Sequence, residues 1–193
     1  MCKCLRNKYL FVILLLLFFS IPISATEIDL NEIEKSLNST NVEIRKEAIN
    51  DIMFHCDITS PEVMPLLLDV IANDSDEIVR MWAARAFKST NKLGENEVDF
   101  LINVLKNEKS YLVSQTIVEV LGQQQLKKKE AVDVIKKMLI ADNPDLRQVS
   151  VKALARYEEM AKEALPILAV MLGDPVFRVR INAKNAIKKI KPE

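Results

Sequence analysis

One phrase returns five times along this chain at an almost constant interval, and that interval restricts the fold more than any other property. Its template is Ile78-Val79-Arg80-Met81-Trp82-Ala83-Ala84-Arg85-Ala86-Phe87: an aliphatic residue, an arginine, then small or apolar residues three, six and seven positions later. The phrase recurs as Ile44-Arg45 with Ala48 and Ile52, as Leu146-Arg147 with Ser150, Ala153 and Leu154, and as Val179-Arg180 with Ala183, Ala186 and Ile187. Val113-Ser114 with Ile117, Val120 and Leu121 is a fifth copy in which serine stands for arginine. The anchors at 45, 80, 114, 147 and 180 are 35, 34, 33 and 33 residues apart. A period in this range marks a stack of supersecondary units, none of which can bury its apolar face alone.

Apolar positions at three, six, seven and ten residues beyond each anchor lie along one face of a 3.6-residue helix. Each such helix is preceded by another periodic segment, for example Val98, Leu101, Val104 and Leu105, or Leu165, Leu168, Met171 and Leu172. Polar breaks separate the two, among them Asn73-Asp74-Ser75-Asp76, Asp142-Asn143-Pro144-Asp145 and Gly173-Asp174-Pro175, which supply turn formers and helix N-caps. The reading is all-α: an α-solenoid of about five antiparallel helix pairs, at about 27–57, 61–90, 95–126, 130–160 and 161–191, forming a single domain over 26–193.

Composition removes several function classes. Three glycines in 193 residues leave little from which to build phosphate-cradling loops or dinucleotide crevices. One histidine and three cysteines, two of them at positions 2 and 4, are too few for a protein-only zinc site or a Ser-His-Asp apparatus. His55, Cys56 and Asp57 are consecutive, but neighbouring side chains on a helix diverge, so they read as a helix end and not as a metal site. No cofactor, metal or catalytic constellation is expected, and the protein reads as a non-enzyme.

Residues 1–25 carry Lys3, Arg6 and Lys8, then an apolar run from Tyr9 to Phe19, then small residues at Ser24 and Ala25. This is the layout of a secretory signal peptide, cleaved after Ala25, and it places the mature chain in the periplasm or outside the cell. The alternative is an uncleaved anchor through 9–25, the one route to membrane contact. Cys56 would then be the sole thiol of the mature chain, so the fold must rest on packing without an intrachain disulfide.

Aliphatic-Arg-x-x-Ala-x-x-Ala-Leu following an Asp-Pro turn resembles the HEAT repeat, closest to the short HEAT-like units of bacteria, including those of phycobilin-lyase-type proteins. The resemblance implies a right-handed superhelix with first helices convex and second helices concave. It also implies a ladder in which turn aspartates meet the anchor arginines, here Arg45, Arg80, Arg147 and Arg180 with Asp76, Asp145 and Asp174. Ser114 interrupts that ladder, so the third repeat is expected to bend or pack differently. Pro65 and Pro166 resemble the proline that bends the family's first helices. The repeat phrase is scaffold and carries no lyase chemistry with it.

Charge is unevenly placed: residues 26–78 hold 13 acidic against three basic residues, and 79–193 hold 21 basic against 14 acidic. Such asymmetry would orient a charged partner or align copies head to tail. With the anchor counted as zero, offsets one, two, five and eight or nine point outward from the second helices. The expected surface for a protein or peptide partner is therefore Trp82, Arg85, Gln115, Glu119, Gln148, Lys152, Asn182 and Asn185, with Thr116, Val149 and Ile181 also outward. Trp82 flanked by arginine has the composition of an interface hot spot, and it equally suits a groove between repeats. Nucleic-acid backbone binding by the basic half, through residues such as Lys152, Arg156 and Lys188, is the alternative; export argues against it.

Overall fold

A computed structural model describes residues 29–124 and 126–191. The expected leader lies outside them. Every regular element among the described residues is helical: α1 Leu30–Leu37, α2 Val42–His55, α3 Met64–Asn73, α4 Glu77–Ala86, α5 Glu95–Asn107, α6 Tyr111–Gln123, α7 Lys129–Lys137, α8 Pro144–Tyr157, α9 Leu165–Val170 and α10 Phe177–Ile190. Short 3-10 turns extend α4, α7, α8 and α9 at their C-terminal ends. The chain divides into two compact units between Leu66 and Leu67, inside α3.

The first unit holds the α1–α2 hairpin. Its helices start where the polar breaks predict: Asp29 and Asn41 accept from the backbone N–H of Asn31 and Glu43, satisfying donors that a first turn leaves open. Ile33 and Leu37 on α1, and Ala48, Ile49 and Ile52 on α2, are buried. His55 ends α2 and is exposed, with Cys56 as its half-buried C-cap. Asp57 then accepts from the Thr59 hydroxyl at 2.7 Å and its N–H at 2.9 Å, bonds that hold its carboxyl below the ordinary value.

In the second unit the second helices α4, α6, α8 and α10 pack side by side, and each of α6, α8 and α10 also packs on its own first helix, α5, α7 or α9. This explains why α6 is buried on most of its circumference, polar Ser114 and Thr116 included. Val113, Ile117 and Leu121 are fully buried, as are Val118 and Val120 on its flanks. Each such side chain contributes about 1.5–3 kcal/mol by leaving water. Offset four, outside the expected buried set, is buried throughout α4, α6 and α8 as Ala84, Val118 and Val151. Thr116 and Val149, expected outward, are buried too. A second helix inside an array has a neighbour on each flank, so offsets two and four both lie in seams.

Asp76 and Asn143 cap α4 and α8 by accepting from two backbone N–H groups each. Pro65 and Pro166 occupy the second positions of α3 and α9, where a missing N–H leaves no bond unmade; they start these helices and do not bend them. Helix α6 runs unbroken past Ser114, which is buried. The third repeat therefore differs at the anchor itself and keeps a regular helix.

Candidate functional site

The anchor arginines are structural clamps. Each donates from Nη1 to the carbonyl six residues earlier: Arg45 to Ser39, Arg80 to Asp74, Arg147 to Ala141 and Arg180 to Asp174, at 2.7–2.9 Å. Arg80 and Arg147 also reach forward to the turn of the next repeat. Arg80 makes a bidentate pair with Glu108, with Nε to Oε2 and Nη2 to Oε1 both at 3.0 Å. Arg147 grips Asp174 likewise, at 2.7 and 3.1 Å. The carboxylates simultaneously accept from turn N–H groups, Lys109 and Ser110 for Glu108 and Val176 for Asp174. Burial would raise the Glu108 carboxyl, but Arg80 and these turn N–H groups hold it below its ordinary value. Arg147 foremost, with the Val176 N–H, lowers Asp174 despite its own desolvation.

Only Asp174 of the expected ladder acids occupies such a rung. Asp76 is a helix cap, and Asp145 pairs with Arg178 on the surface. The acid that faces Arg80 is Glu108. It stands six residues before Ser114, as Asp74 does before Arg80 and Asp174 before Arg180, a spacing that points to it but that matching aspartates by type passed over.

The second helices present a depression of about 230 Å³ in the seam between α6 and α8, lined by Lys88, Glu119, Gln123, Val149, Lys152 and Arg156, with Ala153 in its floor. Glu119 and Lys152 from the expected surface meet there. Lys88 pairs with Glu119 at 2.5 Å, which leaves Lys152 and Arg156 as the net charge of the site. Beside it, burial and the nearby Arg156 push the Lys127 ammonium below its ordinary value, and Lys127 lies 4.8 Å over the Tyr157 ring. The Tyr157 hydroxyl donates to the Leu121 carbonyl at 3.0 Å, and burial raises its pKa. Gln123, at offset nine, belongs to the site and was missed although the period reaches it.

The remaining expected residues are spread over α4, α6, α8 and α10 and do not line the depression. Arg85 is exposed on α4 and Asn185 on α10; Trp82, Gln115, Gln148 and Asn182 are half-buried, Asn182 turning its amide back to the Arg178 carbonyl at 2.7 Å. Trp82 occupies offset two, the position at which Thr116 and Val149 are buried. Among the described residues no group of three or more potential ligands could hold a metal, and no helix is long and apolar enough to cross a membrane.

Residues 98–191 match the family model for HEAT repeats. Among curated proteins nothing matches the sequence. Solved structures share the fold at low identity. The complex of CpcE and CpcF of phycocyanin lyase from Nostoc sp. PCC7120 aligns over 91% of this chain and 70% of that one, with a TM-score of 0.67 and 20% identity. A designed armadillo repeat protein in complex with the peptide (KR)4 aligns over 82% and 80%, with a TM-score of 0.57 and 19% identity. Kap121p bound to Ste12p aligns over 83% of this chain but only 18% of its own length, with a TM-score of 0.57 and 17% identity. Residues 98–191 thus carry HEAT repeats, and the arginine-anchored helix pairs share the helical-repeat fold of these neighbours.

Proposed function

We propose that the protein is an exported, non-enzymatic scaffold that binds an acidic segment of a protein or peptide on its second-helix surface, centred on the seam between α6 and α8. The observation that carries this reading is the depression in which Lys152 and Arg156 face the solvent while Lys88 neutralises the lone carboxylate, Glu119. The lining is mostly charged, and both unneutralised cations stand one turn apart on the single helix α8, so their spacing is set before a ligand arrives. The fold supports the reading, because repeat proteins of this kind commonly mediate protein interactions; two structural neighbours carry bound partners, the peptide (KR)4 on a designed armadillo protein and Ste12p on Kap121p. The site's charge selects the opposite polarity from a Lys-Arg peptide. The signal-like residues 1–25 support export, which N-terminal sequencing of the protein recovered from the cell envelope would test.

The binding test compares labelled (Asp-Glu)4 and (Lys-Arg)4 peptides by fluorescence anisotropy. The acidic peptide binds and the basic one does not. Lys152→Glu with Arg156→Glu weakens the acidic peptide by about tenfold or more, through lost attraction and added repulsion. Equal binding of both peptides, or an indifferent double variant, would overturn the assignment. Duplex DNA competing for the same residues with a steep salt dependence would favour the phosphate-backbone alternative.

A further inference from the structure

One close approach sets the register of the α6–α8 seam. At the α6–α8 seam a Cβ added to Gly122, offset eight, would lie 2.9 Å from the Cβ of Ala153, offset six of the next repeat. The forward stripe of a second helix, offsets one, four and eight, thus meets the backward stripe of its successor, offsets minus one, two and six. Exposure agrees. Offset minus one is buried in α6, α8 and α10 as Val113, Leu146 and Val179, and offset four is buried in α4, α6 and α8.

On α10 of the second unit and α2 of the first, the corresponding stripes are exposed among the described residues. The forward stripe of α10 is Ile181, Lys184 and Lys188; Ile181 is 42% exposed and both lysines are exposed. The backward stripe of α2 is Ile44, Glu47 and Asp51; Ile44 is 40% exposed and both carboxylates are exposed. Superposing the α6–α8 register on these two stripes sets Ile181 against Ile44, Lys184 against Glu47 and Lys188 against Asp51. One apolar pair and two opposite charge pairs fall at the three positions that join α6 to α8. A terminal repeat closed by charge alone would only need to be polar; these ends are polar with opposite signs, in the same register.

We propose that copies of this chain associate head to tail, the forward stripe of α10 in one copy docking on the backward stripe of α2 in the next. The contact is heterologous, so each copy keeps one end open for another. It uses neither Lys152 nor Arg156 and is therefore separate from the binding seam proposed above.

The test is sedimentation velocity on the protein as isolated, at concentrations up to about 200 μM, where a weak self-contact is populated by mass action. Wild type associates with concentration, and raising salt from about 50 to about 500 mM weakens the association by about tenfold. Lys184→Glu with Lys188→Glu, and separately Glu47→Lys with Asp51→Lys, each weaken it by about tenfold or more, with helicity by circular dichroism unchanged. Mixing the two variants restores association, since each then presents the charge that the other's opposite end requires. The Lys152→Glu, Arg156→Glu variant associates like wild type. A wild type that stays monomeric, a loss in only one of the two end variants, or a mixture that stays apart overturns the proposal.

Discussion

Gly122 on α6 and Ala153 on α8 approach so closely that no side chain fits between them. A methyl group on Gly122 would sit 2.9 Å from the Ala153 Cβ and 3.1 Å from its Cα. In an open helix, glycine to alanine gains about 1 kcal/mol of helix propensity. Here overpacking reverses the sign, and Gly122→Ala is expected to cost about 1–3 kcal/mol in urea unfolding. Ala153→Gly added to it removes the clashing methyl and recovers part of the loss, whereas two independent sites would add.

Acid should loosen the arginine clamps in a defined window. Glu108 and Asp174 titrate in the folded chain below their ordinary values of 4.5 and 3.8. A depressed carboxylate contributes stability that is complete above its unfolded value and fades as pH falls through the lower folded one. Urea midpoints should therefore fall on acidification below about pH 5, and Asp174→Asn should flatten part of that slope. With its side chain 3% exposed, Asp174→Ala is expected to cost about 3 kcal/mol at neutral pH, because it strands the Arg147 guanidinium. An unchanged acid limb in Asp174→Asn would show that the pair is not linked to folding.

Gln124 fastens the loop between α4 and α5. Its buried amide accepts from the Leu93 N–H at 3.0 Å and donates to the carbonyls of Val120, at 3.1 Å, and Thr90, at 3.3 Å. Gln124→Leu keeps the volume and leaves these groups unmatched, so it should cost about 2–3 kcal/mol. Hydrogen exchange locates the effect: the Leu93 amide should lose protection in the variant well beyond the global change in stability.

Glu158 is the one described non-glycine residue with a left-handed φ, 51° with ψ −128°, at the point where α8 gives way to its 3-10 extension. A side chain there costs of order 1 kcal/mol or more, which glycine avoids. Its ion pair with Lys189, 3.7 Å and largely exposed, offsets little of that. Glu158→Gly should raise the thermal midpoint by several degrees, about 1 kcal/mol. A lower midpoint would mean that the backbone strain is not relieved.

The helices, their pairing and the anchors could be read from the sequence because a period repeated five times averages out local exceptions. Asp174 was legible as a clamp and Glu108 was not, since matching aspartates by type led to Asp76 and Asp145, whereas position relative to the anchor leads to Glu108. Thr116 and Val149 were misplaced for a different reason. Periodicity within one helix marks the face toward its hairpin partner, and it is blind to neighbours on either flank. Glu119 and Lys152 could be named as outward residues, but their meeting with Arg156 depends on how far α8 slides along α6, a distance fixed by Gly122 and Ala153 in three dimensions. Gln124 carries no sequence signal at all: a polar residue at offset ten contradicts the apolar pattern and makes sense only once the α4–α5 loop is seen against it.

Serine at position 114 reaches beyond its own repeat. Guanidinium grips join the second repeat to the third through Arg80 and Glu108, and the fourth to the fifth through Arg147 and Asp174, but at the third-to-fourth junction the anchor has no arm to extend. That junction relies on close packing, the Tyr157 hydroxyl and the Lys128–Asp99 contact at 2.7 Å. The cationic depression lies at this junction. Two clamped blocks thus meet at a tightly packed seam that no anchor guanidinium spans, and an acidic segment bound in the depression would supply from outside the charged link that Ser114 omits.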